Sequence, residues 1–231
     1  MIRQLRFDLP VRPALGRGDF IVTEANAMAV AMIDDWAHWP GGKLVLTGPR
    51  GAGKTHLAHV WRDLSGASLV AARDLAQADI PALASGHVCV EDAQQVAGEP
   101  EAEAALFHLH NLVLSQGGAL LVTADAPPQS WGLALPDLAS RMSGTTLTAL
   151  LPPDDMLLTV VLAKLFADRQ IVPAPNVLPY LVRRMPRSFD MAGQLVEAID
   201  DAALGTPKGV NLPLARRILA ELAPGSDAPQ D

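Results

Sequence analysis

The octapeptide GPRGAGKT at residues 48–55 restricts the fold of this 231-residue chain more than any other stretch. It follows the apolar run at residues 44–46 and precedes a helix-like segment at residues 56–64. The pattern G-x-x-x-x-G-K-[ST] between a strand and a helix is typical of loops that cradle phosphate, because backbone N–H groups and the helix N-terminus converge on the negative charge. We therefore expect a nucleoside di- or triphosphate to bind here. The alternative is a glycine-rich turn without a ligand.

The residues of this loop have separate predicted roles. The glycines let the backbone turn with its N–H groups inward, Lys54 reaches the β- and γ-phosphates, and Thr55 binds Mg²⁺. The predicted nucleotide contacts in and directly after the loop are Gly48, Pro49, Gly51, Ala52, Gly53, Lys54, Thr55 and His56.

A pair of carboxylates, Glu91 and Asp92, ends the apolar run at residues 87–90. Downstream of a phosphate loop, such a pair serves catalysis: one carboxylate supports Mg²⁺, and the other polarises the attacking water. We predict both as catalytic residues, with Glu91 and Thr55 at the metal. The alternative is a solvated strand end, since acidic residues commonly follow strands.

Apolar runs alternate with helix-like segments up to residue 150. Strands are predicted at residues 43–47, 68–71, 87–91, 119–123 and 145–150. Helices are predicted at residues 24–39, 56–64 and 101–115, with Thr23 as the N-cap of the first. This alternation predicts an α/β domain with a parallel sheet covered on both faces.

The pattern changes after Pro152 and Pro153, because only helices are predicted from there on. These helices cover residues 154–169, 175–184, 188–204 and 213–222. We therefore divide the chain into four parts. They are an extended tail (1–12), an α/β nucleotide-binding domain (13–151), a small all-helical domain (152–223) and a frayed tail (224–231).

Composition narrows the functional classes. Hydrophobic residues make up 49% of the chain and charged residues 19%, so it can bury a sizeable core. The formal net charge of −7 argues against a broad grip on nucleic acid, which needs Lys and Arg to neutralise phosphates. The single cysteine, Cys89, excludes an intrachain disulfide, and neither a signal peptide nor a membrane span is recognisable. We expect a cytoplasmic protein without a membrane partner.

Several motifs together resemble the AAA+ ATPases of the DnaA clade, and within it the Hda-type regulators of replication initiation. They are the phosphate loop, Glu91 with Asp92, the strand LLVTAD at residues 120–125, the run LPDLASRM at residues 135–142, and the helical tail. LPDLASRM is the most specific of them, and the resemblance extends over residues 13–222. It implies an AAA+ P-loop domain followed by a small helical lid.

The resemblance also implies roles for single residues. Asp125 matches the sensor 1 position beside the γ-phosphate. Arg141 matches the arginine finger, which in this family acts in trans on a neighbouring subunit's nucleotide; the alternative is a surface arginine. Arg187 matches the sensor 2 arginine of the lid, in a looser context than usual. Residues 18–22 resemble the segment beside the adenine, so Phe20 and Ile21 are expected to contact the base.

Two features depart from the family pattern. Glu91 stands where the family usually has the Mg²⁺-supporting Asp, and its longer side chain is expected to slow hydrolysis in cis. DnaA itself carries a helix-turn-helix DNA-binding domain, whereas no basic recognition helix follows the lid here. We therefore expect contact with DNA only through a partner.

The N-terminal stretch QLRFDL at residues 4–9 resembles peptides that bind the bacterial sliding clamp, with the pattern Q-L-x-[LF]-x-L. In such a peptide Leu5, Phe7 and Leu9 would fill apolar pockets, and the Gln4 amide would fix the register. The alternative is an N-terminal strand that packs on the domain.

The function implied by the resemblance is regulatory. A protein holding ADP or ATP with Mg²⁺ would be tethered to the β-subunit clamp of DNA polymerase III. There it would promote hydrolysis of DnaA-bound ATP and so inactivate the initiator; self-association and weak intrinsic ATPase activity stay open. One alternative is an autonomous AAA+ ATPase, such as a DnaC-type helicase loader. A small-molecule kinase is disfavoured, because it gives the helical lid and LPDLASRM no role.

Overall fold

The computed structural model describes residues 21–203 and 209–223. The predicted clamp-binding residues Gln4, Leu5, Phe7 and Leu9 lie outside this part of the chain, as do Phe20 and both predicted tails. The predictions made for them stay predictions.

A five-stranded parallel sheet forms the centre of the fold. Its strands are β1 (Lys43–Thr47), β2 (Ser68–Ala71), β3 (Val88–Glu91), β4 (Leu120–Ala124) and β5 (Thr146–Ala149). Their order in the sheet is β2-β3-β4-β1-β5. The inner strands β1, β3 and β4 are almost entirely buried, which explains why they are continuous apolar runs in the sequence. The predicted α/β class with a parallel sheet is confirmed.

The strand register brings the carboxyl ends of the inner strands together. Thr47 at the end of β1 lies opposite Ala124 in β4 and Ala149 in β5. Val90 of β3 lies opposite Val122 of β4. The residues that follow β1, β3 and β4 therefore meet at one edge of the sheet, where ligands of open α/β folds bind.

Helices cover both faces of this sheet. They are α1 (Ala27–Asp34), α2 (Lys54–Ser65), α3 (Ile80–Leu83), α4 (Pro100–Ser115) and α5 (Pro136–Ser143). Leu44 and Leu46 of β1 pack with Trp61 of α2, whereas Val45 packs on the other face with Leu106 of α4. The alternation of side chains along a strand thus separates two apolar layers.

Four further helices pack around a core of their own. They are α6 (Asp155–Asp168), α7 (Val177–Arg184), α8 (Phe189–Ala203) and α9 (Leu212–Leu222). Asp154 caps α6 by accepting a hydrogen bond from Leu157 N at 2.8 Å, and Asn211 caps α9 in the same way. Phe166, Leu181 and Leu195 are buried among these helices. None of the helices in the described ranges is long and apolar enough to cross a bilayer.

The first helix is shorter than its sequence predicts. It begins at Ala27, not at residue 24, because the carbonyl of Thr23 accepts from the N–H groups of Asn26 and Ala27 in a preceding turn. It ends at Asp34, not at Trp39. The Trp39 indole donates to Met32 O at 2.7 Å, and this carbonyl near the helix end is thereby satisfied from outside the helix. Residues 80–83 and 136–143 form the helices α3 and α5, which are not predicted from the sequence.

Candidate nucleotide-binding site

Residues 48–53 form a tight loop between β1 and α2. Gly51 and Gly53 have φ angles of 72° and 97°, in the left-handed region that favours glycine. Gly53 directly precedes Lys54, the first residue of α2. The free N–H groups at the start of this helix therefore face the same space as the loop, and such groups bind anions.

The lid helix α8 packs on this loop. The Phe189 N–H donates to Gly51 O at 2.8 Å. A Cβ atom at Gly51 would collide with Ser188 Oγ, and one at Gly53 would lie 3.2 Å from the Phe189 ring. The backbone angles favour glycine at both positions, and the lid leaves little room for a Cβ atom there.

Lys54 is buried, with 7% of its surface exposed. Its ammonium donates to Gly48 O at 2.6 Å, to Pro49 O at 3.2 Å and to Asp125 Oδ1 at 2.7 Å. Asp125 follows β4, where the sensor 1 position was predicted. The two side chains meet at the carboxyl edge of the sheet, and a bound phosphate would compete with these three acceptors for the ammonium.

A cavity of about 490 Å³ opens over this loop, which is within the size range of small-molecule sites. It is lined by Ile21, Asn26, Arg50, Gly51, Gly53, Lys54, Thr55, His56, Asp92, Gln94, Gln95, Asp125, Leu157, Val161, Phe189 and Asp190. Ile21, Leu157 and Val161 are apolar, whereas Lys54 and Asp125 are charged. This combination suits a ligand with an apolar ring and an anionic tail.

The two predicted catalytic carboxylates face different surroundings. Asp92 lines the cavity and has a φ angle of 54°, which is uncommon for a residue with a side chain. Its N–H donates to Thr123 Oγ1 at 3.1 Å. Glu91 is not among the lining residues, and its buried Oε1 has no hydrogen-bond partner. The arrangement favours Asp92 over Glu91 as the carboxylate nearer to a bound ligand.

The residues present are compatible with Mg²⁺ that arrives with a nucleotide. The described ranges hold no group of three or more His, Cys, Asp or Glu residues that could bind a metal ion by themselves. Mg²⁺ beside phosphates needs only one or two side chains, since phosphate oxygens and water complete its octahedron. Thr55 and Asp92 line the cavity and can serve in this way; a metal contact of Glu91 stays a prediction.

Arg187 does not line the cavity in this structure. Its guanidinium donates to Pro153 O at 3.2 Å and to Asp155 Oδ1 at 2.7 Å, at the junction between the sheet and the lid. Its predicted contact with nucleotide therefore has no support from these distances. The lid instead presents Phe189 and Asp190 to the loop.

Arg141 lies at the opposite end of β1 from the loop. Its backbone carbonyl accepts from Lys43 Nζ at 3.1 Å, and Lys43 is the first residue of β1, whereas the loop follows the last. The length of the strand separates these ends by roughly 13 Å. The guanidinium is exposed and lies over the Phe107 ring at 5.3 Å, and no carboxylate of the described ranges forms an ion pair with it. Arg141 is therefore positioned away from the cavity of its own chain.

Several residues that line the cavity were not predicted from the sequence. They are Asn26, Arg50, Gln94, Gln95, Leu157, Val161, Phe189 and Asp190. Phe189 stands two positions after Arg187, in the stretch that resembles the lid motif, but an aromatic residue there is equally typical of a helical core. Only the tertiary approach of α8 to the loop identifies it.

Comparison with known proteins gives a fold but no family assignment by sequence. No family model matches the chain. Domain III of the replication initiation protein DnaA from Thermotoga maritima superposes with a TM-score of 0.76 and 19% identity, over 92% of this chain and 98% of that chain. AMPPCP-bound DnaA from Aquifex aeolicus gives 0.65 and 20%, over 81% of this chain and 65% of that chain.

A more distant solved structure points the same way. The AAA domain of FIGL-1 in complex with ADP gives a TM-score of 0.64 at 12% identity, over 86% of this chain and 78% of that chain. At such identities the likeness establishes the fold alone. The chain has the fold of an AAA+ domain.

Proposed function

We propose that this protein is a nucleotide-bound regulator of chromosome replication that promotes hydrolysis of ATP held by the initiator DnaA. The observation that carries this proposal is the exposed Arg141 guanidinium, which lacks an acidic partner among the described residues and lies beyond reach of the chain's own cavity. An arginine so placed is free to meet a phosphate on another molecule. The fold shared with DnaA domain III supports DnaA as that molecule.

Arg141 would act by electrostatics. Its guanidinium offsets the negative charge that develops on the transferred phosphoryl group, and such fingers accelerate hydrolysis by about 10³- to 10⁵-fold. The phosphate released from DnaA-bound ATP leaves DnaA with ADP, and re-initiation is restrained.

The chain's own cavity would hold ADP or ATP. A bound nucleotide supplies negative charge for Lys54 and a ring for the apolar lining. Lys54 and the backbone N–H groups of the loop glycines bind the phosphates, Asp125 orients the Lys54 ammonium, and Phe189 keeps the lid in contact with the loop. In this proposal the nucleotide fixes the relative position of sheet and lid, and turnover in cis is slow.

Residues 4–9 would supply the tether. Leu5, Phe7 and Leu9 dock an extended peptide on the sliding clamp, and the Gln4 amide fixes its register. DNA is then contacted only through the clamp, and the site of action is the cytoplasm. The net charge of −7 supports this indirect contact.

The test uses radiolabelled ATP preloaded on DnaA, with clamp loaded on DNA and with this protein added. The wild type is expected to accelerate hydrolysis only when the clamp is present. Arg141→Ala should remove the acceleration. Leu5→Ala with Phe7→Ala should abolish clamp binding, and with it the acceleration, while leaving nucleotide affinity intact. Hydrolysis that is unchanged by the wild type would contradict the proposal.

A second candidate is an autonomous AAA+ ATPase of the helicase-loader kind. The observation that favours it is Asp92, which lines the cavity beside a phosphate loop with Lys54 and Thr55 in place. It requires steady ATP turnover by the protein alone, rising with self-association or with single-stranded DNA. Turnover that is abolished by Asp92→Asn would favour this candidate over the regulator.

A further inference from the structure

Three basic residues meet at the Arg141 end of β1. Lys43 Nζ lies 3.2 Å from His110 Nε2 and 3.1 Å from the backbone oxygen of Arg141. The ion pairs of the described residues involve other cations than Lys43 and Arg141. We call Lys43 and His110 the Lys43–His110 pair.

The hydrogen bonds of His110 identify its tautomer. His110 is 2% exposed, and its Nδ1 lies 3.1 Å from Asn111 Oδ1. Since a carbonyl oxygen only accepts, Nδ1 carries the proton, and Nε2 is left to accept from the Lys43 ammonium. Burial lowers the pKa of His110, the bond to Asn111 opposes this, and the charges of Lys43 and Arg141 lower it further. His110 is therefore a neutral acceptor that aims the ammonium.

The ammonium in turn fixes the last turn of α5. Arg141 O accepts from Lys43 Nζ and, at 2.8 Å, from Thr145 Oγ1. Carbonyls in the last turn of a helix lack partners within the helix, and a cation is favoured there. Leu138 and Met142 bury the other side of α5 in the core shared with α4.

The same face of α4 also holds the Arg141 side chain. Phe107 and His110 are three residues apart on α4, so they lie on one face of that helix. Phe107 supports the guanidinium from one side, and His110 acts on the Arg141 backbone through Lys43. The backbone and the side chain of Arg141 are thus both positioned from β1 and α4.

The lysine at this position also carries an electrostatic cost. Burial lowers the pKa of Lys43, and the charge of Arg141 lowers it further. A second cation close to the first, with no ion-pair partner among the described residues, is electrostatically unfavourable. A neutral donor such as glutamine would cap the helix without that repulsion.

We propose that the Lys43–His110 pair is a positioning element that holds Arg141 ready to reach a phosphoryl group on a nucleotide bound by a partner molecule. This rests on the proposed function. Lys43 does not touch that phosphate; it acts through the Arg141 backbone and so sets where the guanidinium emerges from the surface.

The test compares Lys43→Met with the conservative Lys43→Arg. The control is Arg217→Met, which removes an exposed cation from α9. The rate of hydrolysis of DnaA-bound ATP is measured against the concentration of each variant. Lys43→Met is expected to lower the maximal stimulated rate by about 10- to 100-fold, because small misplacement of a catalytic group costs that much. The concentration for half-maximal stimulation and the chain's own ADP affinity should stay unchanged, and Lys43→Arg should restore most of the rate.

Amide hydrogen exchange in α5 gives a second readout that needs no partner. Lys43→Met and, independently, His110→Phe should accelerate exchange in the last turn of α5 and leave α2 unchanged. If the wild type and Lys43→Met stimulate hydrolysis equally, the positioning role is wrong and the proposed function stands. A wild type that does not stimulate would overturn the proposed function and with it this role. Unchanged exchange in both variants would overturn the positioning role whatever the activity.

Discussion

A cationic side chain lies near each end of β1, and the two differ in burial and in hydrogen-bond partners. At the carboxyl end, Lys54 is buried and its ammonium has three acceptors. At the other end, Arg141 is exposed on the ring of Phe107. Burial with full pairing suits a group that holds a ligand in place, whereas an exposed guanidinium without a paired carboxylate suits a group that completes another molecule's site. We call the carboxyl end of β1, beside Lys54, the holding end, and the opposite end, beside Arg141, the acting end.

The two ends of β1 also differ in how far other parts of the protein cover them. The lid reaches the loop through Phe189 N and Gly51 O at 2.8 Å, so the holding end is closed on one side. Arg141 at the acting end is open to solvent. We expect substitutions at the first end to change nucleotide affinity, and substitutions at the second to change only what the protein does to a partner.

The largest expected effect comes from Glu103, which supports the acting end from α4. Glu103 is 1% exposed, and its carboxylate accepts from the N–H group of Gly98, before α4, and from those of Ala134 and Leu135, directly before α5. Glu103→Ala leaves three donors without this partner, so we expect a loss of about 3 kcal/mol of unfolding free energy. Thermal unfolding monitored by circular dichroism measures it. Glu101→Ala, exposed on the same helix, should change little.

This loss should depend on pH. Burial alone would raise the pKa of Glu103, but the three backbone hydrogen bonds outweigh it and hold this pKa below its ordinary value. A lowered pKa in the folded state stabilises the fold above the unfolded pKa of about 4.3 and ceases to do so as the pH falls through the folded value. The difference between wild type and Glu103→Ala should be constant above about pH 5 and shrink below it. A difference that grows on acidification would contradict this assignment.

The next effect concerns the holding end. Lys54→Ala removes the ammonium that would bind phosphate, so affinity for ADP should fall by about 10- to 100-fold. Fluorescence titration with a labelled ADP measures this. Arg62→Ala, which removes an exposed cation from the same helix, is the control and should bind as the wild type. If Lys54→Ala binds ADP as tightly as the wild type, the cavity is not the ADP-binding site.

A smaller effect should separate the lid contact from backbone strain. Gly51 and Gly66 have φ angles of 72° and 74°, but only a Cβ at Gly51 would meet the lid. Both alanine variants should lose about 1 kcal/mol through strain. Gly51→Ala should lose about 0.5 to 1 kcal/mol more, because the Ser188 hydroxyl must rotate and give up its bond from Met191 N. Equal melting temperatures for the two variants would show that the lid does not bear on the loop.

The smallest effect is expected from Phe107. Its ring supports the Arg141 guanidinium, and such contacts contribute about 0.5 to 1 kcal/mol at exposed sites. Phe107→Ala should therefore lower stimulated hydrolysis on DnaA by about two- to fivefold. Affinity for ADP should be unaffected, and His108→Ala on the same helix is the control. Loss of ADP affinity in the Phe107 variant would show that the two ends are not separate.

The three inner strands were predictable from the sequence because they are buried on both faces and form continuous apolar runs. All five strands were predicted to within one residue at each end. The ends of α1 were not, because they depend on contacts of Thr23 and Trp39 that no periodicity records. Helix α5 was recognised as a motif and not as a helix, although Pro136 stands at its first turn.

The site residues were likewise only partly predictable from the sequence. The loop, Asp92 and Asp125 were predicted and lie together at the cavity, because they follow strands whose carboxyl ends align. Phe189 and the interactions of Arg187 could not be predicted, since they depend on how the lid docks. The pairing of Lys43 with His110 joins residues 67 positions apart, and nothing local indicates it.

The most direct test of whether the two ends of β1 act separately is to measure both functions in one variant. ADP affinity and stimulated hydrolysis of DnaA-bound ATP are determined for Arg141→Ala beside the wild type and Lys54→Ala. We expect Arg141→Ala to bind ADP within about twofold of the wild type and to stimulate hydrolysis about 10³-fold less or weaker still. An Arg141→Ala variant that binds ADP as weakly as Lys54→Ala, or that stimulates hydrolysis like the wild type, would contradict this expectation.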